Sequence, residues 1–269
     1  LGLTRAGWLG AFAAFLAFTL PSAMILLALA MTATRLESPL ALGVLHGLKL
    51  VAVAIVAQAV WGMAKNLCPD KERATIAVVA VLLLAWAPGA IGMMAAILLG
   101  ALAGLALGKG QVTIGEHLPV PVSRKAGLMA FALFVALLIG LPVLAGQAQG
   151  WALADSFFRA GSLVFGGGHV VLPLLQAETV TPGWVSDDAF LAGYGAAQAV
   201  PGPLFTFAAW LGAVMGPAPN GVAGATIALV ALFLPGFLIL IGALPFWDQL
   251  RRKTWAQSAM QGANAAVEI

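Results

Sequence analysis

The chain has 269 residues, of which 62% are hydrophobic and 9% charged, with a mean hydropathy of +1.01. That composition excludes a soluble globular domain and reads as an all-α polytopic membrane protein, since only self-satisfied backbone crosses hydrocarbon. The formal charge is +3, and its thirteen Lys and Arg fall mostly in short connecting stretches rather than in a stripe that would bind nucleic acid.

In chain order, polar punctuation divides the apolar sequence into segments 7–33, 40–63, 75–107, 127–145, 157–180, 189–215, 221–246 and a last one from about 257. Residues 8–30 imitate a signal peptide, with Ala28-Leu29-Ala30 in the place of a cleavage site. The apolar core is too long for that and Pro21 interrupts it, so a transmembrane helix is expected. The start at Leu1 is read as not the native one. Segment 75–107 is long for one helix and carries Pro88-Gly89 near its middle, which predicts a hairpin of two short helices with Trp86 at the turn. Cys68 is the only cysteine, which leaves neither a disulfide nor a thiol metal site; His46 and His117 have no ligand-spaced partners, so no metal and no cofactor is expected.

Segments 157–180 and 189–215 also break in the middle, at Gly166, Gly167 and Gly168 and at Pro201, Gly202 and Pro203. Each is either a kinked span or a re-entrant hairpin, because opened backbone survives at membrane depth only against protein or a polar cavity. The positive-inside rule favours two re-entrant hairpins. Arg5, Lys65, Lys71, Arg73, Lys109, Arg124, Lys125, Arg251, Arg252 and Lys253 then face the cytoplasm, while Arg35 and the acidic Asp187-Asp188 stretch lie outside. Lys49 and Arg159 fall inside the membrane.

An internal repeat sets residues 12–27 over 226–241, with Pro21 over Pro235, and residues 46–51 over 261–266, with Gly47 over Gly262. In the expected topology the paired helices run in opposite directions, the plan of two inverted helical repeats common in secondary transporters. The domains are then residues 1–107, a truncated first repeat; 108–126, a polar cytoplasmic linker; and 127–269, a second repeat truncated at its C-terminal end. The glycine and proline breaks of the second half have no counterpart after Leu1, so the chain is read as a truncated transporter.

The run Phe165-Gly-Gly-Gly-His-Val-Val-Leu-Pro-Leu-Leu175, then Glu178, Gly183-Trp184 and Gly193-Tyr-Gly-Ala-Ala-Gln-Ala-Val-Pro-Gly-Pro-Leu-Phe-Thr-Phe207, resembles the chromate ion transporter family. The match is long and specific in the second half and looser in the first, through Pro21 and Gly47-Leu48-Lys49. The resemblance implies a bacterial inner-membrane secondary transporter that exports chromate, a tetrahedral dianion like sulfate, and so confers chromate resistance. It implies coupling to a proton or potential gradient, without covalent chemistry or ATP. A second glycine-rich motif and a second Pro-Gly-Pro, usual early in the family's first half, are absent.

Physical reasoning on the same residues leads to an anion site. Helix N-termini aim unsatisfied N–H groups and a positive dipole end at what lies beyond them. Gly166, Gly167 and Gly168 let the backbone approach a ligand before a helix near His169, and Pro203 suits the first position of a second helix. The alternative is that these residues only permit close helix packing. Arg159, two turns before the glycines, either offers a fork to the anion or pairs with Asp155 and snorkels. His169 donates to the anion, carries a proton, or is a neutral hydrogen-bonder; Glu178 couples protons or is interfacial. Lys49 attracts the anion or meets a charge partner, Gln198 lines the cavity, and Phe165 flanks the glycines.

The substrate and partners are therefore a chromate- or sulfate-like oxyanion and the lipid bilayer, with a second copy of the chain as a candidate partner and no nucleic acid. Two other readings compete: a transporter or channel for sulfate or another oxyanion, and a non-transporting fragment that needs the missing half. An intramembrane enzyme is disfavoured, since no paired-Asp motif, His-Glu-x-x-His, Ser/Lys dyad or nucleotide loop occurs.

Overall fold

The computed structural model describes residues 2–33, 70–87, 90–108, 122–164, 171–250 and 253–267, with single helical positions between 43 and 62. Among the described residues the protein is all-α, with no strand. Helix α1 (Gly2–Ala33) bends at Ala6–Gly7 and then runs on through Pro21. Its buried positions, Thr19, Ser22, Ala23, Leu26 and Ala30, repeat at helical spacing and form one face, while Phe12, Phe18 and Met24 stay exposed on the other.

The long apolar stretch 75–107 forms two helices, α2 (Lys71–Trp86) and α3 (Ala90–Leu107). The Pro88-Gly89 turn expected between them lies outside the described residues. Asp70 starts α2 by accepting the Arg73 N–H at 2.9 Å, satisfying one of the helix's orphan donors. Helix α4 (Arg124–Ala145) starts in the same way at Ser123, which accepts the Ala126 N–H at 3.2 Å. Beyond this cap α4 is apolar nearly all round, with Leu128, Met129, Phe131, Ile139 and Val143 exposed, as a lipid-facing helix requires.

Four helices follow that are shorter than the apolar segments suggested: α5 (Gln149–Ser162), α6 (Val171–Thr179), α7 (Asp187–Ala199) and α8 (Phe207–Val214). At about 1.5 Å per residue their lengths are roughly 21, 14, 20 and 12 Å, short of the roughly 30 Å of a hydrocarbon core. Helix α9 (Gly221–Leu250) is long, passes through Pro235 and Pro245, and is followed by α10 (Thr254–Val267). Segments 5–32, 124–145 and 221–247 are long and apolar enough to cross a membrane.

The half-length helices form two hairpins, α5–α6 and α7–α8, that start from the same side. Gly150, at the start of α5, lies against Pro219, and the Gly216 N–H donates to the Trp184 carbonyl at 3.0 Å. These contacts gather one end of all four helices into one layer, from which the helices run into the apolar body. Because α5 and α7 have 14 and 13 residues, these two helices end at similar depths.

Helices α1 and α9 flank the hairpins and run antiparallel. Phe15 packs edge-on against Phe233 and Phe237 at 5.1 and 4.8 Å, while Ala23 packs with Ala225 and Ala209 further along. This is the orientation an inverted pair demands, although two antiparallel helices do not by themselves establish a repeat. At the far edge α10 crosses to the first-half hairpin: Gly262 fits against Gly100 and Gly104 of α3, and Ala266 packs with Ala80 and Ala96. Small residues let the backbones touch where lipid supplies no hydrophobic drive between helices.

Candidate functional site

The first turn follows α5. Ser162 closes the helix by donating to the Phe158 carbonyl at 2.7 Å, and the Leu163 N–H reaches back to the Arg159 and Ala160 carbonyls. Phe165, Gly166, Gly167, Gly168 and His169 lie outside the described residues, as does Lys49 in the first half. Helix α5 has ended before the glycines, and the described part of α6 starts at Val171. Gly161, one residue from the end of α5, sits against the Leu232 carbonyl and the Pro235 ring, so a side chain there would collide with the proline kink of α9.

Among the described residues Arg159 meets two acids, Asp155 on its own helix and Glu178 on α6. Helical side chains lean toward the N-terminus, and its guanidinium turns back along α5. There Nη2 lies 2.9 Å from Asp155 Oδ2 and 3.3 Å from Glu178 Oε2. The pairing with Asp155 is the alternative considered from the sequence; the second carboxylate, brought by the antiparallel return of α6, was not foreseen. The side chain of Asp155 is 6% exposed, and neither its Oδ1 nor Arg159 Nε has a hydrogen-bond partner among the described residues. Two carboxylates therefore share one guanidinium, and an unpaired oxygen remains in an enclosed place where desolvation is costly.

The second turn is described in full. Ser186 caps α7 through the Ala189 N–H at 3.2 Å, and the helix ends at Ala199. Val200 is extended, Gly202 turns the chain at φ +152, and Pro203 leaves it extended at φ −72, ψ 135. A φ of +152 is a glycine conformation. Pro203 was expected to open the next helix, and the structure corrects this. A single 3-10 turn, Leu204–Thr206, comes first and α8 starts only at Phe207. Proline's fixed φ suits extended backbone as well as helix, and here the exit from the glycine turn takes the extended choice.

Polar groups cluster around this turn. Gln198 Nε2 donates to the Tyr194 hydroxyl at 2.8 Å, and Thr206 Oγ1 donates to the Pro203 carbonyl at 2.8 Å. Trp210 locks the hairpin shut: its indole lies over Gly193 and donates to the Ala189 carbonyl at 3.0 Å. Gly202 seats against Ser22 of α1, next to Pro21. Each of these proline-containing helices thus receives a glycine near its proline, Gly161 at Pro235 and Gly202 beside Pro21.

The structure brings Gln198, Pro201, Gly202 and Pro203 into one turn and joins Arg159 to Glu178. Sequence reading had no role for Thr19, Ser22 or Tyr194 and saw Asp155 only as a possible salt-bridge partner. One signal was available: Thr19 and Ser22 are the only polar residues between Arg5 and Thr32, and they flank the proline.

Comparison with known proteins decides the family. The sequence profile described as chromate transporter matches residues 1–105 and 151–268. The chain belongs to the chromate transporter family. A chromate transport protein of Pseudomonas aeruginosa is 30% identical over 258 residues, covering 93% of this chain and 58% of that protein. An uncharacterized transporter of Methanocaldococcus jannaschii is 25% identical over 260 residues, 94% of this chain and 63% of its own length. An uncharacterized transporter of Bacillus subtilis is 41% identical over 92 residues, 34% of this chain and 45% of its own. The chain thus spans about three-fifths of the length of the first two relatives. No solved structure matches it. The relatives are named as transporters, and the apolar helices make this family member an integral membrane protein.

Proposed function

We propose that this chain belongs to a secondary transporter that moves chromate across the bacterial inner membrane, outward and by alternating access, and so confers chromate resistance. One observation carries the reading: two pairs of half-length helices enter the apolar body from one side, and the first helix of each pair ends at similar depth. Breaks of this kind present backbone N–H groups inside the membrane, where a dianion has lost its water. The acidic Asp187 and Asp188 lie at the hairpins' outer layer, and Arg124, Lys125 and Lys253 at the opposite ends of α4 and α9, an arrangement that supports a cytoplasmic basic side. The division into residues 1–107, 108–126 and 127–269 belongs to the same proposal; the family profile's gap from 106 to 150 contains the linker.

The site is assigned to the two turns, with Gly166, Gly167, Gly168 and His169 on one and Gln198, Pro201, Gly202 and Pro203 on the other. Arg159 and Glu178 supply the coupling. While Glu178 is ionised it occupies the guanidinium together with Asp155. A proton added to Glu178 removes one of the two negative charges held at Arg159 Nη2, so proton uptake and anion attraction become linked. Lys49 adds positive charge from the first half.

The test is chromate accumulation by inside-out vesicles containing the full chain. Saturable accumulation is expected, falling about tenfold or more in Arg159→Ala and His169→Ala. In Glu178→Gln, transport should persist and lose its dependence on the pH gradient. If neither Arg159→Ala nor His169→Ala changes transport, the site assignment fails. Equal or faster accumulation of sulfate would replace chromate with a general oxyanion substrate.

A further inference from the structure

We infer that the Thr19 hydroxyl, with Ser22 beside it on α1, is an anion-binding donor that completes the site at the Pro201-Gly202-Pro203 turn. The inference rests on the proposed oxyanion site and adds the first-half wall that sequence reading could not supply.

Thr19 is 2% exposed, and its Oγ1 has no hydrogen-bond partner among the described residues. This is unusual for a helical threonine, which ordinarily satisfies its hydroxyl on a carbonyl one turn back. Thr32 of the same helix does so, donating to Ala28 at 2.9 Å, and so do Thr179 and Thr226, at 2.6 and 2.8 Å. Ser22 is 1% exposed and donates to the Thr19 carbonyl at 3.0 Å. A buried hydroxyl left unpaired is an expense that native structures rarely carry without a ligand, a water or a functional reason.

The position of Thr19 on α1 says what it faces. It shares a face with Ser22, which touches Gly202, and with Ala23, which packs on Ala209 of α8. Helix α1 runs parallel to α8, since Leu27 and Ala213 extend the Ala23–Ala209 contact in the same direction. One turn earlier than Ala23, Thr19 is therefore level with the 3-10 turn, Leu204–Thr206, through which the chain enters α8. The Thr206 and Phe207 N–H groups are taken by the Pro203, Leu204 and Phe205 carbonyls, and the 3-10 turn has no side-chain cap, so the Leu204 and Phe205 N–H groups at its entry have no backbone partner among the described residues. These two N–H groups and the unpaired Thr19 hydroxyl thus lie at one level of the protein, and all are donors.

Hydroxyl and backbone donors suit a fully deprotonated tetrahedral oxyanion, which has acceptors only and needs no counter-charge at every oxygen. In the structure Gly202 covers Ser22, so an anion reaches Thr19 when the turn lifts from α1. Occupancy of the site and the position of the α7–α8 turn are then coupled.

The test uses the full chain in proteoliposomes, with chromate as the probe and sulfate as competitor. Thr19→Val keeps the shape and removes the donor; Thr19→Ser keeps the donor. Loss of one hydrogen bond to a charged ligand predicts a KM for chromate raised about tenfold in Thr19→Val and within about twofold of wild type in Thr19→Ser. As a folding control, Thr19→Val should melt no lower than wild type without anion and lose most of the chromate-induced rise in Tm. An unchanged KM and an unchanged chromate-induced rise in Thr19→Val would overturn the inference while leaving the oxyanion site standing. Wild-type protein that neither transports nor is stabilised by chromate or sulfate would overturn both.

Discussion

Two arginines, Arg73 and Arg159, each follow an acid on their own helix by about one turn, and the surroundings make them different devices. Arg73 Nε lies 3.3 Å from Asp70 Oδ2, with the two side chains 26% and 33% exposed. Asp70 is also the cap of α2, and Arg73 Nη2 reaches Gln261 Oε1 at 3.2 Å, tying α2 to α10 near the helix ends. Arg159 holds Asp155 within the protein and draws Glu178 from a second helix. The first pair is charge-balanced with both side chains partly exposed, whereas the second has one acid too many and joins a 43% exposed Arg159 to a buried Asp155 that keeps an unpaired oxygen. Similar sequence spacing thus yields a helix fastener in one half and an unbalanced, exchangeable cluster in the other.

Substitutions test that contrast. Arg159→Ala leaves the buried Asp155 without its cation and beside Glu178; because Arg159 and Glu178 are partly exposed, about 2–3 kcal/mol is expected, read as a lowered melting temperature in detergent. Gly202→Ala forces an L-residue to φ +152 and drives a methyl group into Ser22; about 2 kcal/mol is expected, with transport lost because the turn cannot seat. Asp155→Ala should cost less than Arg159→Ala, roughly 1–2 kcal/mol, because the remaining Arg159–Glu178 pair is balanced. Arg73→Ala should cost under about 1 kcal/mol, as exposed pairs do, and leave transport unchanged. If Arg73→Ala destabilised as much as Arg159→Ala, or if Asp155→Ala cost more than Arg159→Ala, the contrast between the two clusters would be lost.

Much of the fold was legible because hydrocarbon leaves few options. The division of 75–107 into two helices and the interruption at Pro201–Pro203 follow from residues that cannot continue a helix, and the structure has both features. Hydropathy misplaced the start of α5, which begins at Gln149 rather than at 157. That helix faces protein instead of lipid, so it buries Asp155 and Ser156, and a search for apolar runs passes over such a segment. The late start of α8 after Pro203 escaped for a local reason: proline fixes φ but leaves ψ to its neighbours.

The sequence by itself determined that this is a helical membrane protein of the chromate transporter family, and where its helices must break. Those properties depend on composition and on single-residue backbone chemistry. Only the tertiary structure decided that Arg159 turns back to Glu178, that Gly202 rests on Ser22, and that α10 leaves its own half to pack on α3. Each joins residues far apart in the chain across a close approach of two helices. In a membrane such approaches are selected by shape and by the need to satisfy buried polar groups, and hydropathy registers neither.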